Sequence, residues 1–104
     1  MNGGLAVFVP KIQNDETDLL IRAVLSLKNE EDAYRFFEDL CTIPEMAKIS
    51  QRFDVAVMLR QGENYQEIES LTGASSATIS RVKRALMYGA DGYNRVLDAM
   101  GIES

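Results

Sequence analysis

The chain has 104 residues, 46% apolar and 26% charged, which is ordinary for one soluble globular domain. It has no histidine and one cysteine, Cys41. That excludes an intrachain disulfide, the common zinc sites and histidine-based catalysis. The net charge of −5 argues against indiscriminate binding to nucleic acid. No apolar run approaches the ~20 residues of a membrane span, so a cytoplasmic location is expected.

Residues 1–13 are expected to form a flexible arm, with residues 14–104 as the folded domain. The arm's apolar patch, residues 5–9, lacks the basic start of a signal peptide. Asn14, Asp15 and Glu16 open the first helix, with acids at its positive end. Leu19, Leu20, Ala23, Val24 and Leu27 form its apolar stripe, and it should stop near Lys28. Asn29 caps the second helix, which Glu30, Glu31 and Asp32 enter. Its inward face is Ala33, Phe36, Phe37, Leu40 and Cys41. Phe36 and Phe37 fall on the helical period and are read as core rather than as a binding box.

Thr42 and Glu45 form a capping-box signature, with Pro44 tolerated in the first turn. The helix beyond carries Met46, Ile49, Phe53, Ala56 and Val57 on one side. Val55, Met58 and Leu59 add apolar residues on other sides, which marks a central helix. Lys48, Gln51, Arg52 and Asp54 are polar, and a bend or change of register is expected near Ser50 and Gln51. Gln61 and Gly62 end it.

Two short helical patterns follow, broken at residues 72–75. The first is capped by Asn64, with Glu67 completing a capping box, and turns Tyr65, Ile68, Leu71 and Thr72 inward. Gly73 stands where the helix end needs a left-handed residue. Ser75 or Ser76 caps the second, whose inward face is Ile79, Val82 and Leu86. Two short amphipathic helices joined by a tight glycine-containing turn make a helix-turn-helix. A last helix is capped by Asp91, turns Tyr93, Val96, Leu97 and Met100 inward, and is closed by Gly101. No strand alternation appears, so the chain is all-α with six helices.

Opposite its apolar stripe, the second helix of the pair carries Ala77, Ser80, Arg81 and Arg84. Small residues let a backbone approach base edges, and arginines reach guanine or phosphate. Residues 70–90 contain Arg81, Lys83 and Arg84 and no acid, a local charge of +3, leaving −8 for the rest. Gln66, Ser75, Ser76, Ala77, Thr78, Ser80, Arg81, Lys83 and Arg84 are the candidate DNA-contacting residues. The bland reading of the same pattern is a packing αα-hairpin with a solvated basic face. The first two helices are strongly amphipathic, and a second copy is the simplest cover for their stripes.

The stretch 42–86 resembles the Trp repressor family, in Thr42, Gln51-Arg52, residues 59–63 (Leu-Arg-Gln-Gly-Glu), Gly73-Ala74 and residues 77–81 (Ala-Thr-Ile-Ser-Arg). Residues 36–100 are still more similar to bacterial Trp-repressor-related proteins. That likeness rests on residues 34–42, on residues 73–82 (Gly-Ala-Ser-Ser-Ala-Thr-Ile-Ser-Arg-Val), and on residues 88–93 (Tyr-Gly-Ala-Asp-Gly-Tyr). The resemblance implies a six-helix fold, an intertwined homodimer and repression through a palindromic double-stranded DNA operator. It also implies that Arg52 and Arg81 clamp an effector carboxylate, with Thr42 lining the pocket. The effector class would then be an amino acid or another small carboxylate; no metal or other cofactor is expected.

Several positions depart from the family. Val82 stands where the resemblance implies a glycine beside the ligand, and Ala85 replaces a serine. Glu67 and Glu69 stand where the family has basic residues near phosphates. The expected function is therefore a dimeric DNA-binding regulator that needs no tryptophan or takes another effector. The alternatives are a tryptophan-responsive repressor and a protein-interaction module on the same scaffold. An enzyme is not expected, since acid pairs such as Glu30-Glu31 look like dipole-capping surface residues.

Overall fold

A computed structural model describes residues 7–104. Its helices are α1 (Asp15–Leu25), α2 (Glu30–Leu40), α3 (Ile43–Arg60), α4 (Tyr65–Thr72), α5 (Ser76–Tyr88) and α6 (Gly92–Ala99). No strand occurs among the described residues. Residues 1–6 of the expected arm lie outside them, and residues 7–13 form no helix. Among the described residues no helix is long and apolar enough to cross a membrane.

The chain divides into two compact units, one ending at Phe37 and one spanning Glu38–Ser104. In the first, the Asn14 side chain accepts from the Thr17 N–H at 2.7 Å, and Asn29 accepts from Asp32 N–H at 2.9 Å. These bonds satisfy orphan amides at the helix starts. α1 ends before Lys28: the Ser26 hydroxyl donates to the Ala23 carbonyl at 2.7 Å and closes the last turn. Neither α1 nor α2 has a buried residue, and Leu19 is 64% exposed. Phe36 and Phe37 meet edge to face with centroids 5.4 Å apart. They are only half-buried, less than the core role expected of them.

In the second unit α3 is the central element, packed against α4, α5 and α6. It opens on a complete capping box: Thr42 N–H donates to Glu45 Oε1 at 2.8 Å, and Glu45 N–H donates to Thr42 Oγ1 at 3.2 Å. The helix runs unbroken through Ser50 and Gln51, against the expected change of register. The polar residues there instead serve contacts. Gln51 bonds the Thr72 carbonyl at 3.1 Å, and Arg52 Nε donates to the Lys48 carbonyl at 3.5 Å. Val55 and Ala56 on α3 join Ile68, Ala74, Ile79 and Val82 in one buried cluster. Burying each of the larger side chains contributes about 1.5–3 kcal/mol.

α6 departs from expectation in two respects. Asp91 precedes it but makes no side-chain cap; its backbone is left-handed, φ 67°. Its carboxylate instead accepts from Asn94 Nδ2 at 3.2 Å and pairs with Arg95 at 3.4 Å. Only Leu97 is buried, while Val96 and Met100 are exposed. Arg60 of α3 holds α6 by pairing with Asp98 and reaching Asn94. Gly101, φ 72°, ends the helix as expected.

The Thr42 backbone N–H, and then its hydroxyl, hold the Glu45 carboxyl below its ordinary value of 4.5. A depressed acid contributes stability above its unfolded value and loses it as pH falls through the folded value. Glu45→Gln is therefore expected to lower the urea midpoint at neutral pH. The deficit should shrink as pH falls below 4.5 and through Glu45's depressed range, measured against wild type at each pH.

Candidate nucleic-acid interface

The turn between α4 and α5 is built from local hydrogen bonds. Asn64 Oδ1 accepts from the Glu67 N–H at 2.9 Å and starts α4. The return bond of a capping box, from Asn64 N–H to the Glu67 carboxylate, is absent among the described residues. Glu67's carboxyl lies beside Glu63 instead, and a hydrogen bond between the two, with Glu67's charge, raises the Glu63 carboxyl above the usual range. At the far end Gly73 takes φ 75°, a conformation that costs other residues roughly 1–2 kcal/mol. Its N–H caps the Glu69 carbonyl at 2.9 Å. Thr72 Oγ1 donates to the Ile68 carbonyl at 2.6 Å and accepts from the Ala74 N–H at 3.1 Å. Ser75 caps α5, its Oγ accepting from Thr78 N–H at 3.2 Å.

Ile79 is fully buried and Val82 is 2% exposed, so the opposite side of α5 must face outward. Ala77, Ser80, Arg81 and Arg84 are all exposed there, as are Ser75, Ser76 and, on α4, Gln66. Thr78 is half-buried. Neither Arg81 nor Arg84 makes a hydrogen bond or ion pair among the described residues. Their guanidinium donors are free to meet a ligand. Lys83 is placed differently. Its Nζ sits 5.8 Å from the Tyr65 ring centroid, and it lines a cavity of about 580 Å³ with Glu63, Asn64 and Asn94. It belongs to the edge between α4 and α5, not to the outward face.

Neither cavity among the described residues brings the three effector candidates together. Thr42's hydroxyl oxygen is occupied by the capping box, Arg52 is half-buried with one N–H on Lys48, and Arg81 is exposed. A groove of about 810 Å³ is lined by Met46, Ile49, Gln51, Phe53 and Thr72, and by neither arginine. Val82, on the inner side of α5, belongs to the core cluster.

Two features were missed by reading the sequence. The apolar period puts Leu71 on α4's inner face, but it is 71% exposed, and Thr72 rather than Leu71 meets α3 through Gln51. Gln51 reads in the sequence as a polar interruption of α3 and as part of the family resemblance, and neither reading points to its contact with Thr72. The available signal was its position one turn before Val55, on the side of α3 that packs against the turn.

The chain is similar to several known proteins. It is 54% identical over 90 residues to the uncharacterized protein YerC of Bacillus subtilis (strain 168), covering 86% of each chain. A crystal structure of a candidate Trp repressor from Staphylococcus aureus matches 90% of this chain and 94% of its own, at 50% identity and TM-score 0.85. A TrpR-like protein from Eubacterium eligens ATCC 27750 matches 90% of this chain and 97% of its own, at 51% identity and TM-score 0.85. The family model described as Trp repressor protein matches residues 15–101, and the chain belongs to that family.

Proposed function

We propose that the chain is a sequence-specific DNA-binding regulator of transcription, a repressor acting as a homodimer. The observation that carries this reading is the outward face of α5. Ala77 and Ser80 are small, Arg81 and Arg84 are unpaired, and the inner side of the helix is anchored in the core. The first turn of α5 holds no acid, so its positive end is free to meet phosphate. Ala77, Thr78 and Ser80 lie near the helix start, where a recognition helix meets base edges. Arg84 contacts phosphate or guanine, and Arg81 contacts phosphate. Ser75, Ser76 and Gln66 flank this face, and Lys83 contributes from its edge.

Glu67 and Glu69 on α4 reduce the general attraction to phosphate, as does the net charge of −5. Binding on this reading depends on specific contacts more than on nonspecific charge. Tryptophan is not the effector, because Val82 and Ala85 replace the glycine and serine that the family resemblance implies. Family membership supports the regulator class.

The apolar stripes of α1 and α2 have no buried residue, which supports a second copy as their cover. Sedimentation should show a dimer at micromolar concentration, with an interface above ~2,000 Å² in total. A stable folded monomer would remove that part of the reading. In the dimer the two α5 helices should stand ~34 Å apart, one duplex turn, the spacing of dimeric helix-turn-helix proteins that include the Trp repressor.

Selection of duplexes from a random pool should recover a palindromic sequence. Arg84→Ala should then lower the salt slope by about two per dimer if it meets phosphate, at ~0.9 per contact. If it meets a base, it should cost about 1–3 kcal/mol per site and relax preference at that position. Unchanged affinity, slope and preference would instead favour a protein-interaction module. Calorimetry with tryptophan should show no tight, saturable binding; a saturable isotherm would restore the tryptophan-responsive reading.

A further inference from the structure

We infer that Gln51 is a positioning residue: its side-chain amide fixes the helix-turn-helix turn to α3 and thereby sets where α5 presents its outward face. This rests on the DNA-binding reading of that face.

The end of α4 leaves carbonyls without a local partner, and one of them is met from another helix. Carbonyls in the last turn of a helix have no intrahelical donor. At the end of α4 the Glu69 carbonyl is taken by Gly73 N–H, and Thr72 Oγ1 serves both Ile68 and Ala74. The Thr72 carbonyl is met from 21 residues away, by Gln51 Nε2 at 3.1 Å. The acceptor is a carbonyl, so only the NH₂ end of the Gln51 amide can face it. This is the one side-chain hydrogen bond from α3 to the turn among the described residues.

The apolar contacts on either side cannot do the same work. Val55, one turn after Gln51 on α3, and Ala74 of the turn share the buried cluster. Burial of apolar surface is non-directional, and it leaves the turn free to rotate slightly against α3. A hydrogen bond restricts both distance and angle. Thr72 is four residues before Ser76, where α5 begins, so a small rotation at Thr72 is carried to Ala77, Ser80 and Arg81. Reading base edges requires side chains held within about 0.5 Å. Phosphate contacts tolerate more error, because charge attraction falls slowly with distance.

The test uses the full chain and two duplexes of equal length, one selected and one random. Gln51→Met keeps the side-chain length and removes the donor. It should reduce the preference for the selected duplex about tenfold, with random-duplex affinity and its salt slope unchanged. Gln51→Glu should lose preference similarly at neutral pH, because its carboxylate opposes the Thr72 carbonyl. That preference should return as pH falls and the carboxyl gains a proton to donate, read against wild type at each pH. A preference within twofold of wild type in Gln51→Met, an equal loss on both duplexes, or a flat pH profile in Gln51→Glu would overturn the inference. If wild type prefers no duplex, the DNA-binding reading fails, and amide exchange judges Gln51 separately. Gly73, Ala74 and Ile79 amides exchanging about tenfold faster in Gln51→Met, with the Met100 and Gly101 amides unchanged, would support the positioning of α5 by Gln51. Unchanged exchange at all five would sink it.

Discussion

The contact between α5 and α3 is the constraint from which the rest of the second unit follows. Ile79 and Val82 are buried against Val55 and Ala56, with Ile68 and Ala74 closing the cluster. Burying two such residues three apart turns the opposite side of the helix outward, to within the small latitude that apolar packing leaves. The exposure of Ala77, Ser80, Arg81 and Arg84 is a consequence of where the apolar residues go. The turn geometry is equally constrained. Ala74 is nearly fully buried, so the segment between Gly73 and Ser75 must dip into the core and rise again within three residues. Only a left-handed residue at 73 allows that change of direction, and Gly73 supplies it.

Charge is distributed by the same economy. The acids gather at helix starts: three in the first turn of α1 and three in that of α2, where the helix dipole favours them. Glu63 and Glu67 lie close together, and hydrogen bonding to Glu67, then its charge, raises the Glu63 carboxyl above its ordinary range. They stand at the start of α4, beside the cavity edge where Lys83 lies over Tyr65. Cation and acids there form a local arrangement separate from the outward arginines. Lys83 therefore shares a sequence neighbourhood with Arg84 but not its direction, which one helical step of 100° suffices to explain.

Much of this fold was legible because it is encoded locally. Asn14, Asn29, Thr42, Asn64 and Ser75 act as caps within three residues of their partners, and such signals survive without knowledge of the fold. The outward face of α5 was legible for a related reason, since Ile79 and Val82 fix a direction from sequence alone. What could not be read depends on contacts distant in sequence. Leu71, Val96 and Met100 fit the apolar period of α4 and of α6 with its C-cap, yet a helix of about two turns has too few residues for its period to define a face. The polar run at Ser50 to Arg52 suggested a fault in α3, because its partner at Thr72 lies on another helix. The grouping of Thr42, Arg52 and Arg81 came from resemblance rather than pattern, and no described cavity brings them together.

The ion pairs elsewhere sharpen the reading of α5. Arg35 pairs with Glu31, and Arg95 with Asp91, each with the acid four residues before the arginine. Within α2 that spacing places Glu31 and Arg35 on one helix face and stabilises the helix by roughly 0.2–0.5 kcal/mol, while Asp91 stands just before α6. On α5 the positions four before Arg81 and Arg84 are Ala77 and Ser80. An acid at either would neutralise an arginine and add local stability, by a device the chain uses at two other helices. Small neutral residues stand there instead. The same two positions that leave the guanidinium groups unpaired also keep the helix surface low enough for close approach. Two requirements of a helix that meets an anionic partner, free cations and an unobstructed backbone, are thus met by one pair of residues. Packing explains neither choice, because both positions face away from the core. The stability forgone on α5 is small, and the core cluster beneath it supplies several times as much.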